Sequence, residues 1–180
     1  GPEEIRHWLS ALCARASALV GWEAKVAQGG FLGSSSQVSV QLSDLFHPET
    51  FLNALRQQTA RSIGSPMDGL KLAASFHRYE FGKSLAISIQ GLSIQGASFE
   101  SGKLNMCTSE DAVFSALPPF LLAWIPQEAP EPYPEERCVA LPIYFTPTRE
   151  RILSDVKLPC ETDPRRWILS GCSLFLEAQL

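Results

Sequence analysis

The sequence predicts an α+β fold in which N-terminal helices, one of them long and amphipathic, precede an antiparallel β-barrel of roughly six strands. Apolar residues recur at three- and four-residue steps up to about residue 63, which is the period of an amphipathic helix. Past residue 70 they alternate with polar residues, which is the period of a strand. Only three of the 13 prolines precede residue 118, so turns concentrate in the second half.

Length and composition favour one globular domain, alone or with a helical appendage. The 180 residues are 45% hydrophobic and 19% charged, which excludes intrinsic disorder. The net charge is −4 and no Lys/Arg cluster is present, so nucleic acid and anionic lipid are poor candidate partners. The longest apolar stretch, residues 5–26, contains five charged or histidine side chains, and we therefore expect no membrane insertion.

Cysteine usage and the first two residues indicate the origin of the chain. The number of cysteines is odd and none forms a C-x-x-C pair, which predicts free thiols in a reducing compartment: Cys13, Cys107, Cys138, Cys160 and Cys172. We interpret Gly1 and Pro2 as the remnant of a cleaved expression tag, so we expect the chain to be a fragment of a longer protein.

Two helices are predicted in a helical subdomain over residues 3–66. The first covers about residues 3–27 and ends before Gly29 and Gly30. The second begins near Pro48, where a missing N–H costs nothing, and ends at Gly64.

The β-barrel subdomain is predicted over residues 67–180. Candidate strands cover residues 72–76, 85–89, 92–94, 120–125, 139–146, 152–158 and 167–176. In the second of these, alternation places Leu85, Ile87 and Ile89 inside the barrel. Their neighbours Ser84, Ala86 and Ser88 would face outward.

The sequence offers little that resembles a catalytic or ligand site. Residues 97–103 (ASFESGK) have the spacing of a phosphate-binding loop, but Leu104 replaces the Mg²⁺-binding hydroxyl and no helix pattern follows, so we predict a β-turn at Gly102. Ser93 lacks the context of a nucleophile elbow. None of the three histidines (His7, His47, His77) has a second ligand at metal-binding spacing. We therefore predict no catalytic, cofactor-binding or metal-binding residues.

Four blocks of sequence resemble the C-terminal domains of dynein heavy chains, in the order of that family. Residues 45–61 (LFHPETFLNALRQQTAR) are similar to its F-x-P-x-x-F-L-x-A-x-x-Q-x-x-A-R segment. Residues 67–70 (MDGL) resemble I-D-x-L, and residues 89–99 (IQGLSIQGASF) resemble I-x-G-L-x-L-x-G-A-x-W, with Phe99 in place of tryptophan. Residues 141–149 (LPIYFTPTR) resemble C-P-L-Y-x-T-x-x-R. Within the family, residues 51–57 (FLNALRQ) and 124–127 (WIPQ) look most like the intraflagellar-transport heavy chains.

This resemblance implies a non-catalytic domain that braces the AAA+ ring of a minus-end-directed, ATP-driven microtubule motor in retrograde intraflagellar transport. ATP and Mg²⁺ would bind in the ring of the parent protein and not in this fragment. The implied partners are the AAA+ modules of the same heavy chain, in a dimeric parent with light intermediate chains, light chains and microtubules. The implied locations are the cytoplasm, the cilium or flagellum and the cytoskeleton.

The first predicted helix is the candidate attachment to the ring. Its apolar residues spread beyond one narrow stripe, so one surface of the domain is not expected to cover them all. The residues that we expect at the ring interface are Trp8, Leu12, Leu19 and Trp22.

An alternative is a free-standing β-barrel that binds a small ligand or peptide, with Trp124 or Trp167 at its mouth. A hydrolase that uses Ser93 or a loop histidine is a third hypothesis. Ligand-dependent thermal stabilisation in a metabolite screen would distinguish the binding module from the ring-bracing domain.

Overall fold

A computed structural model describes residues 39–42, 47–107, 114–161 and 163–176, all within a compact unit that spans Val38–Leu180. Two helices are described, α1 (Pro48–Ile63) and α2 (Pro164–Ser170). The strands are β1 (Ser39–Gln41), β2 (Leu70–Ser75), β3 (Ile87–Gln90), β4 (Ser93–Gln95), β5 (Ala97–Glu100), β6 (Lys103–Met106), β7 (Phe114–Ala116), β8 (Phe120–Pro126), β9 (Cys138–Tyr144), β10 (Ile152–Pro159) and β11 (Ser173–Phe175). The predicted helix over residues 3–27 lies outside the described residues, and the predicted division of the chain at residue 66 stays a prediction.

Helix α1 forms where the sequence predicts it. Pro48 occupies the first turn and Gly64 ends the helix with φ 70°, a left-handed conformation that glycine adopts without strain. The buried side of the helix includes Leu52, Leu55 and Thr59, which share one face at three- and four-residue steps. The hydroxyl of Thr59 donates to the Leu55 carbonyl at 2.9 Å, so this buried polar group is satisfied within the helix.

The strands form three separate sheets. The first has the order β1-β3-β8-β2, and the second has the order β10-β9-β11-β4-β7. Strands β5 and β6 make a two-stranded hairpin, which one isolated bridge between Leu104 and Cys160 joins to the end of β10. Most neighbours are antiparallel, but β1 runs parallel to β3 and β11 runs parallel to β9.

The predicted succession of helices and a closed antiparallel barrel is therefore wrong for the described residues, which are mostly strands with few helices. Both large sheets are open, and their edge strands β2 and β10 lie side by side without a ladder pair between them among these residues. The parallel pairs also interrupt an all-antiparallel order. Pro126 and Pro159, which end β8 and β10, have no N–H to donate to a continuing ladder.

The predicted strand over residues 167–176 is also wrong in its first half, which forms α2. The Asp163 carboxylate accepts a hydrogen bond from the Arg165 amide, Pro164 occupies the first turn, and Gly171 ends the helix with φ 69°. These start and stop signals lie on either side of the apolar residues. They outweigh the strand preference of Trp167 and its neighbours, and only Ser173–Phe175 pairs as a strand.

The core contains buried apolar residues from α1 and from strands of both large sheets. Ile87 and Ile89 in β3 are 1% and 0% exposed, so the predicted inward face of this strand is confirmed for these two residues. Leu85 precedes the strand and is only partly buried. Trp167 is fully buried, which removes it as the mouth of a ligand-binding barrel.

Candidate functional site

The predicted ring-interface residues, Trp8, Leu12, Leu19 and Trp22, lie outside the described part of the chain. Their role stays a prediction that the structure does not test. The structure does place the sequence blocks that resemble a known family, and residues of these blocks meet at two junctions.

The segment with phosphate-loop spacing is a β-hairpin turn. Residues Glu100 and Lys103 pair across β5 and β6, and the two residues between them, Ser101 and Gly102, have φ of 54° and 79°. Two consecutive positive φ angles are typical of a type I′ hairpin turn. The predicted turn at Gly102 is confirmed. The loop joins two strands, whereas a phosphate-binding loop joins a strand to a helix whose N-terminus faces the anion.

The other described sequence candidates for chemistry, Ser93, His47 and His77, each contact different residues. Ser93 pairs within the ladder of β4, opposite Ala116 and Phe175. His47 lies 3.6 Å from the Glu49 carboxylate at the start of α1, and His77 lies 3.4 Å from the Tyr133 hydroxyl. In the ranges that the structure describes, no group of three His, Cys, Asp or Glu side chains could hold a metal ion. Over the same ranges, no helix is long and apolar enough to cross a membrane.

The described thiols are held in their uncharged form where they are buried. Burial raises the pKa of Cys172 to about 12 and that of Cys160 to about 11, and it also raises the pKa of Cys138. The reactive form of cysteine is the thiolate, so these three side chains are poor nucleophiles in the folded protein.

The first junction joins α1 to β8. The indole Nε1 of Trp124 donates to the Leu52 carbonyl at 3.0 Å, and the guanidinium of Arg56 lies over the Trp124 ring at 4.8 Å. The Nε of Arg56 also donates to the Met67 carbonyl at 2.9 Å. The helix is thus held to the strand by an indole hydrogen bond and a cation–π contact, and both depend on the orientation of the Trp124 ring.

The 3₁₀ turn Met67–Gly69 is fixed to the same junction from its other side. The amide of Gln127 donates to the Gly69 carbonyl at 2.9 Å, and its side-chain Nε2 donates to the Leu70 carbonyl at 3.2 Å. Residues 51–57, 67–70 and 124–127 are far apart in sequence but meet here. Sequence reasoning singled out each block separately and did not predict that they meet.

The second junction is made by Arg149, in the turn between β9 and β10. Its Nη2 donates to Gln95 Oε1 at 3.1 Å and to the Gly171 carbonyl at 3.0 Å. The guanidinium also lies 5.9 Å from the Tyr144 ring and 5.7 Å from the Phe175 ring. One side chain therefore connects β4, β9, β11 and the end of α2. Sequence reasoning missed this role, and its one signal was that Arg149 closes the last family block.

Comparison with known proteins agrees with these family blocks. A sequence profile that describes the C-terminal domain of the dynein heavy chain matches residues 2–176. The protein is 38% identical to the human cytoplasmic dynein 2 heavy chain 1 over 99% of its own length and 4% of that relative. It is 37% identical to the Chlamydomonas reinhardtii cytoplasmic dynein 2 heavy chain 1, over 98% of its own length and 4% of the relative.

A more distant relative belongs to the same family. The Chlamydomonas reinhardtii dynein beta chain of the flagellar outer arm is 29% identical over 96% of the present sequence and 4% of that protein. The chain thus spans about 4% of the length of these relatives. Because the profile covers nearly the whole sequence and the identities extend over the same residues, the chain belongs to the family of C-terminal domains of dynein heavy chains.

Proposed function

We propose that this protein is the non-catalytic C-terminal domain of a dynein heavy chain that works in retrograde intraflagellar transport. The observation that carries the proposal is the difference in similarity between relatives. Identity is 38% and 37% to two cytoplasmic dynein 2 heavy chains but 29% to a flagellar outer-arm chain, over nearly the same length. Under this proposal the parent is a minus-end-directed microtubule motor of the cytoplasm and cilium, dimeric, with light intermediate and light chains.

We further propose that the domain braces the AAA+ ring of its own heavy chain. The family blocks support this, because several of their described side chains join separate elements of the fold. Trp124, Arg56 and Arg149 each connect segments distant in sequence. Contacts of this kind suit a mechanical role, and in this proposal the segment over residues 3–27 is the attachment to the ring.

The attachment is tested by replacing Trp8 and Leu12 with serine in the full heavy chain. We expect loss of ring integrity or altered stepping in a microtubule-gliding assay, with little change in the melting temperature of the 180-residue protein. The matched control replaces Arg6 and Arg15, which lie outside the predicted apolar stripe, with serine. Equal effects of the two double variants on gliding, or an equal loss of stability in the isolated 180 residues, would contradict the attachment role.

Nucleotide binding belongs, in this proposal, to the ring of the parent protein. A calorimetric titration of the 180-residue protein with MgATP should show no micromolar binding, because the loop at residues 97–103 is a hairpin turn. Micromolar binding that is lost in Lys103→Ala would show that this part of the proposal is wrong.

A further inference from the structure

The two large sheets meet along a seam that lacks main-chain pairing. Strand β2 is the last strand of the first sheet and β10 is the first strand of the second, and the two lie side by side. No ladder pair joins them within the described ranges. Side-chain contacts must therefore hold the sheets together at this seam, and both strands carry buried apolar residues, among them Leu70 on β2 and Val156 on β10.

The loop between β8 and β9, residues 127–137, crosses this seam and contacts both sheets. Its Glu131 Oε1 lies 3.2 Å from the Lys71 ammonium on β2 and 3.1 Å from the Lys157 ammonium on β10. The Glu131 side chain is 17% exposed and that of Lys71 is 22% exposed, so water screens the pair less than an ordinary surface ion pair. The hydrogen bond to Glu131 raises the pKa of Lys157, which keeps its ammonium charged.

Further hydrogen bonds hold the middle of the loop. The Phe76 amide, just past the end of β2, donates to the Tyr133 hydroxyl at 2.7 Å. The Tyr79 hydroxyl donates to the Pro130 carbonyl at 3.3 Å. Each of these two hydrogen bonds involves a tyrosine side chain. The two ends of the loop are held instead by backbone hydrogen bonds: the Gln127 amide donates to the Gly69 carbonyl and the Cys160 amide donates to the Arg137 carbonyl, both at 2.9 Å.

The loop packs against the sheets only in part: Ala129 contacts a buried cluster that includes Ala73 and Leu121, whereas residues 134–137 are exposed. An open cavity of about 360 Å³ lies beside it, lined by Glu131, Tyr133, Glu135, Cys138 and the two lysines. The Cys138 side chain is nevertheless buried, at 5% exposure. A largely exposed segment that is held by a few polar contacts and one apolar contact has less local stability than the packed strands on either side.

We propose that residues 127–137 form a strap that locks the two sheets across their unpaired seam. Glu131 is the clasp of this strap, because its carboxylate holds it to a lysine on each sheet, and the strap opens locally while both sheets stay folded. Removing the carboxylate leaves the two ammonium groups facing each other without an intervening charge, which favours the open strap. Opening would expose the Cys138 thiol and release the Phe76 amide from its acceptor.

The test uses the 180-residue protein with Glu131→Gln and, as matched control, Glu128→Gln on the same strap, since Glu128 is exposed. The first readout is the alkylation rate of Cys138, corrected for its thiolate fraction over a range of pH, because burial and also the Glu131 charge raise the pKa of this thiol. Cys172 is an internal reporter of global unfolding, since it is buried and does not line the cavity beside the strap. We expect Glu131→Gln to raise the Cys138 rate about tenfold and the Cys172 rate less than about twofold. Glu128→Gln should change neither rate by more than about twofold.

The second readout is amide hydrogen exchange at Phe76 and Gln127. In Glu131→Gln the protection of Phe76 should fall about tenfold while that of Gln127, at the base of the strap, is retained. Tyr133→Phe should release Phe76 in the same way without the change of charge. Equal behaviour of the two Gln variants would refute the clasp, and parallel increases at Cys138 and Cys172 would show global unfolding instead of a strap.

Discussion

At the junction between α1 and β8, the contacts of Trp124 and Arg56 predict how much each side chain contributes to the free energy of unfolding. Trp124→Phe keeps an aromatic ring beneath the guanidinium but removes the indole N–H that donates to the Leu52 carbonyl. A lost hydrogen bond costs about 0.5–1.5 kcal/mol, and the weaker cation–π contact of Phe adds a few tenths. We therefore expect Trp124→Phe to lower the free energy of unfolding by about 1–2 kcal/mol.

Arg56→Met removes two interactions at once. It loses the cation–π contact, worth about 0.5–1 kcal/mol, and the hydrogen bond to the Met67 carbonyl, worth about 1.5–3 kcal/mol for a charged donor. Because Trp124→Phe weakens the shared ring contact by only a few tenths of a kcal/mol, the coupling energy in a double-mutant cycle with Arg56→Met should be about 0.3 kcal/mol. The single-variant losses should otherwise add.

The assay is urea unfolding of four 180-residue proteins, namely the unchanged protein, both single variants and the double variant. Arg61→Met is the matched control, because Arg61 is exposed on the same helix and loses the same charge. We expect the control to stay within about 0.5 kcal/mol. A coupling energy above about 1 kcal/mol, or a control that loses as much stability as Arg56→Met, would refute this account of the junction.

Two further predictions concern the inward face of β3 and the start of α2. Ile87→Ala should cost about 2–5 kcal/mol in urea unfolding because Ile87 is 1% exposed, whereas Ser88→Ala on the other face of β3 should cost about 0.5 kcal/mol or less; equal losses would remove the inward assignment. Hydrogen bonds from Arg165 lower the pKa of Asp163 to about 2, so its contribution to stability is present above about pH 4 and lost as the pH falls toward 2. The melting temperature should therefore fall more steeply over this pH range in the unchanged protein than in Asp163→Asn, and parallel profiles would contradict the cap.

Local features of the described fold follow from the sequence because they depend on neighbouring residues. The start of α1 at Pro48 and its end at Gly64 need only the fixed φ of proline and the left-handed φ of glycine. The turn at Gly102 and the alternation of Ile87 and Ile89 are equally local. Membership of the dynein family was also predictable, since its blocks are linear segments.

Local signals were misread in one place. Apolar β-formers around Trp167 predicted a strand, although Asp163, Pro164 and Gly171 carry the start and stop signals of a helix. A short apolar run does not distinguish a buried helix from a strand, and here the signals at its two ends decided.

The division into three open sheets was decided only by the tertiary structure. Alternation determines which face of a strand is buried, but the same pattern fits a closed barrel and two open sheets equally well. The choice depends on which strand edges pair through their backbones. Strands β2 and β10 lie side by side without such pairing, and Glu131, a residue of neither strand, forms an ion pair with a lysine on each. Arg149 likewise gains its partners Gln95 and Gly171 only in the folded protein. Such contacts join residues tens of positions apart, and no local period or spacing in the sequence encodes them.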